Sequence, residues 1–261
     1  MTKMLDDYAL MSPLRHTNNW LKLGVVFFGV LMGVSSTSPA VPFLIALCMG
    51  SATVIFAKMP LKDYLKMLSC PASFVILSVI IIAFFFGGGR ELFGFDVFSY
   101  RVGLNIEGLE MAFLVFSRTL GGMTCLFFLA LTTPMIELFA VLKKSKLPDS
   151  FIEVSMMMYR YIFVLLEVAL SIKYAQTVRL GYKDLRTSLN SLAMLASTLF
   201  LRSWEQGEKI FVSMNARCYD GKMAFYEETK PVKASEALLT LFYVSIVVVV
   251  WYVSNGIGWM R

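Results

Sequence analysis

Histidine is almost missing from this sequence. The one copy in 261 residues is His16, in the polar N-terminal stretch. A metal centre needs several convergent donors, so a lone histidine there reads as a solvated side chain. The same scarcity argues against Ser/His/Asp and Cys/His catalytic sets. There are four cysteines, Cys48, Cys70, Cys125 and Cys218, and no CxxC pair. Three lie in or beside apolar blocks and read as small apolar residues, not as disulfides or metal ligands. No GxxxxGK[ST] motif occurs, which excludes a P-loop ATPase. Gly87-Gly88-Gly89-Arg90 is a glycine run that ends an apolar block, and it reads as a loosened helix end. Charge is also sparse, at 16% of residues against roughly a quarter in a soluble domain. The first residues are polar and lack a signal-type apolar region, so the first membrane segment is expected to act as its own insertion signal.

Apolar residues take the place of charge, at 57% of the chain. They are gathered into long blocks separated by short basic patches, which is the pattern a bilayer requires. A net charge of +6, placed beside those blocks, points to anionic headgroups and positive-inside loops, not nucleic acid. The seventeen methionines are scattered apart from Met156-Met157-Met158. They read first as packing fillers, with a soft-metal pathway as the alternative.

The blocks run over 21–36, 40–57, 72–86, 109–131 and 235–253. The first two, joined by the Ser36–Pro39 turn, predict a tight helical hairpin. Lys58, Lys62 and Lys66 follow the second block, and Lys143, Lys144 and Lys146 follow the fourth. Both patches are expected to face the cytoplasm, and the N-terminus with them. The connection from Arg90 to Glu107 balances its charges and suits the outside. Glu110 sits near the outer end of the fourth block, where it can snorkel to the interface.

Residues 151–172 are apolar enough to span, but crossing would put either the 143–146 lysines or the basic region 173–233 outside. Glu153, Arg160 and Glu167 also share one helical stripe, and three ionisable groups in one lipid-spanning helix are costly. This helix is expected not to cross. The prediction is an all-α integral membrane protein of about five spans. It divides into spans over 1–132, a cytoplasmic helical region over 133–233, and a last span over 234–261.

Arg118, inside the fourth block, needs a partner or a water path. It has two readings: part of a moving interface, or a structural ion pair or carbonyl hydrogen bond. Two stretches of the cytoplasmic region match each other, Ala175–Tyr182 around Arg179 and Met214–Gly221 around Arg217. Each places an arginine near a helix end, ahead of a tyrosine and a glycine. One reading is C-capping, with Gly181 and Gly221 as terminators. The other is a pair of exposed ends, each with a forked donor, that dock into acidic grooves on two copies of a partner.

Here the sequence resembles the CbiQ/EcfT transmembrane component of energy-coupling factor (ECF) transporters, and most closely the CbiQ branch. The stretches that carry the resemblance are Phe116–Arg118, Leu129–Leu138 with Pro134, Leu147–Pro148, Met158–Glu167 with Arg160, and Arg202–Glu208 with Glu205, leading into Ala216–Gly221. The family's paired Ala-Arg-Gly-like motifs map onto Arg179 and Arg217. Val178 and Leu180 replace the small residues of the first motif, with Gly181 one position later. Cys218 follows Ala216-Arg217 where the second has glycine, and cysteine tolerates a left-handed backbone poorly.

The resemblance implies a non-catalytic subunit of a membrane importer. Its partners would be two ATPase subunits holding ATP and Mg, a CbiM-like substrate-binding membrane subunit holding cobalt or nickel, and a small accessory membrane subunit. The alternative cargo is a vitamin. A membrane-embedded enzyme using Glu153, Arg160 and Glu167 is the remaining reading.

Overall fold

A backbone in hydrocarbon must satisfy its own polar groups, so the apolar blocks can only be helices. The computed structural model describes residues 5–85, 91–97, 100–144, 147–221 and 230–256. They form two compact units. The first comprises Met1–Leu138 and Thr229–Arg261, and the second Phe139–Glu228.

The first unit opens with α1 (Leu5–Met11) and a 3₁₀ turn at Pro13–His16. The Ser12 hydroxyl caps that turn by accepting from the Leu14 N–H. α2 (Asn19–Ser35) starts where the Asn18 side chain accepts from the Trp20 N–H at 2.9 Å, a standard N-cap. α3 (Ala40–Ile55) and α4 (Leu61–Phe85) follow. A hairpin of β1 (Glu91–Val97) and β2 (Tyr100–Asn105) then leads into α5 (Ile106–Thr132). α9 (Ala234–Gly256) completes the unit. Lys62 and Lys66, expected in a connection, belong to the first turns of α4. The mixed-charge connection after α4 is not structureless, since most of it pairs as the hairpin.

The core of this unit joins four helices. Val26 of α2, Val41, Ile45 and Met49 of α3, Cys125 and Phe128 of α5, and Val247 of α9 form one buried cluster. Outside it the surface is apolar. Phe27, Leu31, Phe43, Leu47, Phe74, Ile80 and Leu241 are exposed, as lipid-facing side chains are. Lipid is as apolar as leucine, so such helices associate through close packing at small residues. At Gly121 of α5 an added Cβ would lie 2.8 Å from the Pro42 carbonyl oxygen of α3.

The second unit holds α7 (Asp149–Val178) and α8 (Leu185–Ala216). The helix before them, α6 (Met135–Lys144), begins in the first unit. The Gln176 amide nitrogen donates to the Ser191 carbonyl at 2.9 Å, and the Tyr219 hydroxyl donates to Glu153 Oε2 at 3.0 Å. Residues near the end of α7 therefore meet the start of α8, and residues near the start of α7 meet the end of α8. The two helices form an antiparallel hairpin. Met157, Met158 and Tyr161 of α7 line an apolar cleft with Ile210, Phe211 and Met214 of α8.

Among the described residues, α4, α5, α7 and α9 are long and apolar enough to cross a membrane. α2 and α3 are shorter, at 17 and 16 residues. At about 1.5 Å per residue they span roughly 25 Å, against a hydrocarbon core of about 30 Å. Their connecting turn therefore needs donors from the protein itself.

The Gly121 contact gives a matched test. Gly121→Ala is expected to cost about 1–3 kcal/mol through overpacking against a backbone atom. Gly122→Ala next to it, where an added Cβ meets nothing within 4 Å, should leave stability unchanged or slightly raised. Thermal unfolding of the two purified variants in one detergent checks this.

Candidate functional site

The last four carbonyls of a helix have no intrahelical partner. α7 and α8 solve this identically. At the end of α7 the Leu180 N–H donates to the Thr177 carbonyl at 3.0 Å and the Gly181 N–H to the Gln176 carbonyl at 2.9 Å. At the end of α8 the Cys218 N–H donates to Asn215 at 3.0 Å and the Tyr219 N–H to Met214 at 3.1 Å. Both are complete Schellman closures. Arg179 and Arg217 are the C-cap residues. Each is followed by a residue in the left-handed region, Leu180 at φ 58° and Cys218 at φ 57°.

This corrects the glycine reading. Gly181 does not terminate α7, because the left-handed position falls one residue earlier, on Leu180. Gly181 is needed for a different reason. An added Cβ would lie 2.6 Å from Ser191 Oγ and 3.0 Å from the Gln176 carbonyl. Its own carbonyl accepts from Ser191 Oγ at 2.8 Å. The Tyr182 hydroxyl donates to Gln176 Oε1 at 2.8 Å and finishes the joint. Gly221 has φ 87° but lies beyond the second closure. Cys218 does adopt the left-handed conformation in which cysteine is disfavoured.

Because the backbone caps itself, the arginine side chains are not spent on it. Arg179 and Arg217 are exposed, and neither guanidinium has a hydrogen-bond or ion-pair partner among the described residues. Val178 and Leu180, the neighbours of Arg179 in sequence, are 85% and 69% exposed, so apolar side chains flank the first cation. Each cap is also tied to the neighbouring helix, the first through Gly181–Ser191 and the second through Tyr219–Glu153. Glu153 is buried at 7%, and accepting the phenol's hydrogen bond raises the Tyr219 pKa. α8 has 32 residues, so the antiparallel arrangement sets the two caps roughly 48 Å apart.

The other candidates fall into place separately. Arg118 Nη2 donates to the Ser36 carbonyl at 2.6 Å. It supplies a donor to the short α2–α3 turn. Pro134 is fully buried between α5 and α6, and its carbonyl accepts from the Glu137 and Leu138 N–H groups. Pro148 is the N-cap of α7 and Ala216 the last residue of α8. Arg160, Glu167, Arg202 and Glu205 are exposed. Glu153, Arg160 and Glu167 do not converge, since successive members lie about 10 Å apart along the axis and Glu153 is engaged by Tyr219.

Sequence reasoning missed a polar cluster in the first unit. Glu137 accepts from Lys230 Nζ at 2.7 Å, Asn19 Nδ2 at 2.9 Å and Arg15 Nε at 3.3 Å. Burial pushes its carboxyl pKa up, but these donors, Lys230 foremost, outweigh that and hold it below the usual value. Nearby, the buried Lys22 Nζ donates to the carbonyl of Thr132, the last residue of α5, at 3.1 Å. Members of the cluster lie up to 215 residues apart in sequence, so no local pattern marks them. Among the described residues no three His, Cys, Asp or Glu side chains group as a metal site.

The long apolar helices make this a multi-pass helical membrane protein, and comparison with known proteins gives its class. Residues 11–227 match the CbiQ family model, described as cobalt transport protein, and the chain belongs to that family, the transmembrane components of ECF transporters. It is 42% identical over 245 residues to a putative fused cobalt transport protein CbiMQ of Methanocorpusculum labreanum, covering 94% of this chain but 41% of that protein. It is 26% identical to cobalt transport protein CbiQ of Salmonella typhimurium, over 82% of this chain and 93% of that one. Identity to the ECF transporter transmembrane protein EcfT of Bacillus selenitireducens is also 26%, over 77% of each.

A left-handed non-glycine residue costs roughly 1–2 kcal/mol. Leu180→Gly and Cys218→Gly are each expected to raise stability by about 1 kcal/mol. Denaturation of the purified chain, with hydrogen exchange at the two helix ends, checks this.

Proposed function

We propose that this chain is the coupling subunit of an ECF-type importer for cobalt or nickel. It would carry ATP-driven movement from two ATPase subunits to a separate substrate-binding membrane subunit. The observation that carries this reading is the pair of equivalent helix closures, each presenting an unengaged arginine, at opposite ends of one hairpin. A separation of roughly 48 Å is too wide for one binding groove and suits two protein bodies side by side. A guanidinium flanked by apolar side chains fits a groove with a carboxylate at its base.

ATP and Mg belong to the ATPase subunits in this reading, and the chain itself is non-catalytic. Cargo binding belongs to a CbiM-like subunit, in keeping with the fused CbiMQ relative. A small accessory membrane subunit completes the assembly. The chain sits in the inner or plasma membrane with its N-terminus in the cytoplasm. α7 stays on the cytoplasmic side although its composition would let it cross. It lies alongside α8, which carries Arg186, Arg202, Glu205, Glu208 and Lys209. Burying α7 in lipid would take those charges with it, at several kcal/mol in all. The EcfT relative supports a second reading with the same coupling hairpin and a vitamin as cargo. The identity of the co-purified substrate-binding subunit separates the two.

Replacing Arg179 and Arg217 together by glutamate is expected to abolish ATPase association and metal uptake while the chain remains in the membrane. Co-purification and uptake assays on one membrane preparation read this. Unchanged assembly and uptake would overturn the proposal.

A further inference from the structure

The second unit is inserted into the first. The chain leaves after Leu138 and rejoins at Thr229. Glu137 is thus one residue before the departure, and Lys230 one residue after the first residue to return. Their side chains are bonded to each other at 2.7 Å, with only 18% and 10% of their surface exposed. The remaining bonds fasten the same two points to the N-terminal segment. Asn19 and Arg15 donate to Glu137, and Lys230 Nζ also donates to the Arg15 carbonyl. The Lys230 carbonyl accepts from Asn18 Nδ2 at 2.8 Å. Asn18 in turn starts α2 through its side chain, and its N–H donates to Glu236 in the first turn of α9. Lys22, one turn into α2, holds the end of α5. One cluster therefore fixes both ends of the insertion to the starts of α2 and α9, and its neighbour Lys22 ties α2 to the end of α5.

We infer that Glu137 and Lys230 are positioning residues for transmission, forming a clasp that makes the two connections of the coupling hairpin move as one. The inference rests on the proposed coupling function. A force that travels along the chain from either arginine-bearing end enters the first unit at these two connections. If the connections could shift independently, a displacement of the hairpin would be absorbed between them. Closing the loop at its base with a largely buried, charge-assisted bond removes that slack. The geometry also separates this role from simple stabilisation. Glu137 and Lys230 lie outside the hydrophobic clusters of the unit, so weakening their bond leaves the helix packing in place. Lys230→Arg preserves the charge and donors, whereas Lys230→Met preserves length without charge.

The test uses the full complex reconstituted in vesicles, with cobalt as cargo, and measures ATP hydrolysed and cobalt taken up in the same sample. Wild type and Lys230→Arg are expected to give similar uptake per ATP. Glu137→Gln and Lys230→Met should each lower that ratio at least five-fold while still co-purifying with the ATPase subunits. The double variant should be no worse than the worse single one, because both act on the same bond. A ratio unchanged in Glu137→Gln and Lys230→Met, with wild type coupled, overturns the clasp and leaves the coupling function standing. Wild type that assembles with no ATPase overturns the coupling function instead. Spin-label distances between residues 136 and 232, both exposed and in the first unit, give a second readout in the full chain. Glu137→Gln should broaden their distribution, and a distribution as narrow as wild type would count against the clasp.

Discussion

Every helix ends in carbonyls that have no partner within it, and the way this chain meets that constraint organises the rest. In the first unit, cationic side chains answer the carbonyls. Arg118 reaches the C-cap carbonyl of α2, and Lys22 reaches the last carbonyl of α5. A cation at a helix C-terminus is also favoured by the macrodipole. At the ends of α7 and α8 the backbone answers instead, by doubling back through a left-handed residue. The first solution consumes the cation and ties helices together. The second costs backbone strain at Leu180 and Cys218 and leaves Arg179 and Arg217 available to a partner.

That division makes the two units different kinds of object. In the first, small residues and a shared apolar cluster bring α2, α3, α5 and α9 close, and cations finish the joints. In the second, two long helices are fastened near both ends, by Gln176 and Gly181 to Ser191 and by Glu153 to Tyr219. Such a hairpin keeps its tips apart as a strut does. The residues that make the fasteners are the ones that shape the caps, so the arginines are presented from rigid ends and not from loose loops. Docking onto side chains carried by a fixed backbone avoids the cost of ordering that backbone.

Much of this was legible in the sequence, and the remainder was not, for identifiable reasons. Five long apolar blocks give α2, α3, α4, α5 and α9, because helices in hydrocarbon leave an unbroken apolar run. The pairing of Arg179 with Arg217 was visible as a repeated local pattern. Which residue would take the left-handed turn was not. Glycine is the usual occupant, but the position is set by where the helical hydrogen bonds stop, and here that is one residue before Gly181. The partner of Arg118 lies 82 residues away and that of Glu137 lies 93 away. Such pairs are products of folding and leave no periodic trace. The β-hairpin was hidden because its mixed charges and glycines resemble an ordinary connection.

One antiparallel hairpin holds two equivalent, arginine-bearing ends far apart. Spin labels on Cys218 and on Leu180→Cys, in a full chain whose other cysteines are replaced, measure this directly in the assembled complex. A single narrow distance distribution centred at roughly 45–50 Å is expected from the rise of α8. A distance below about 25 Å, half that helix length or less, would place both tips on one side and contradict it.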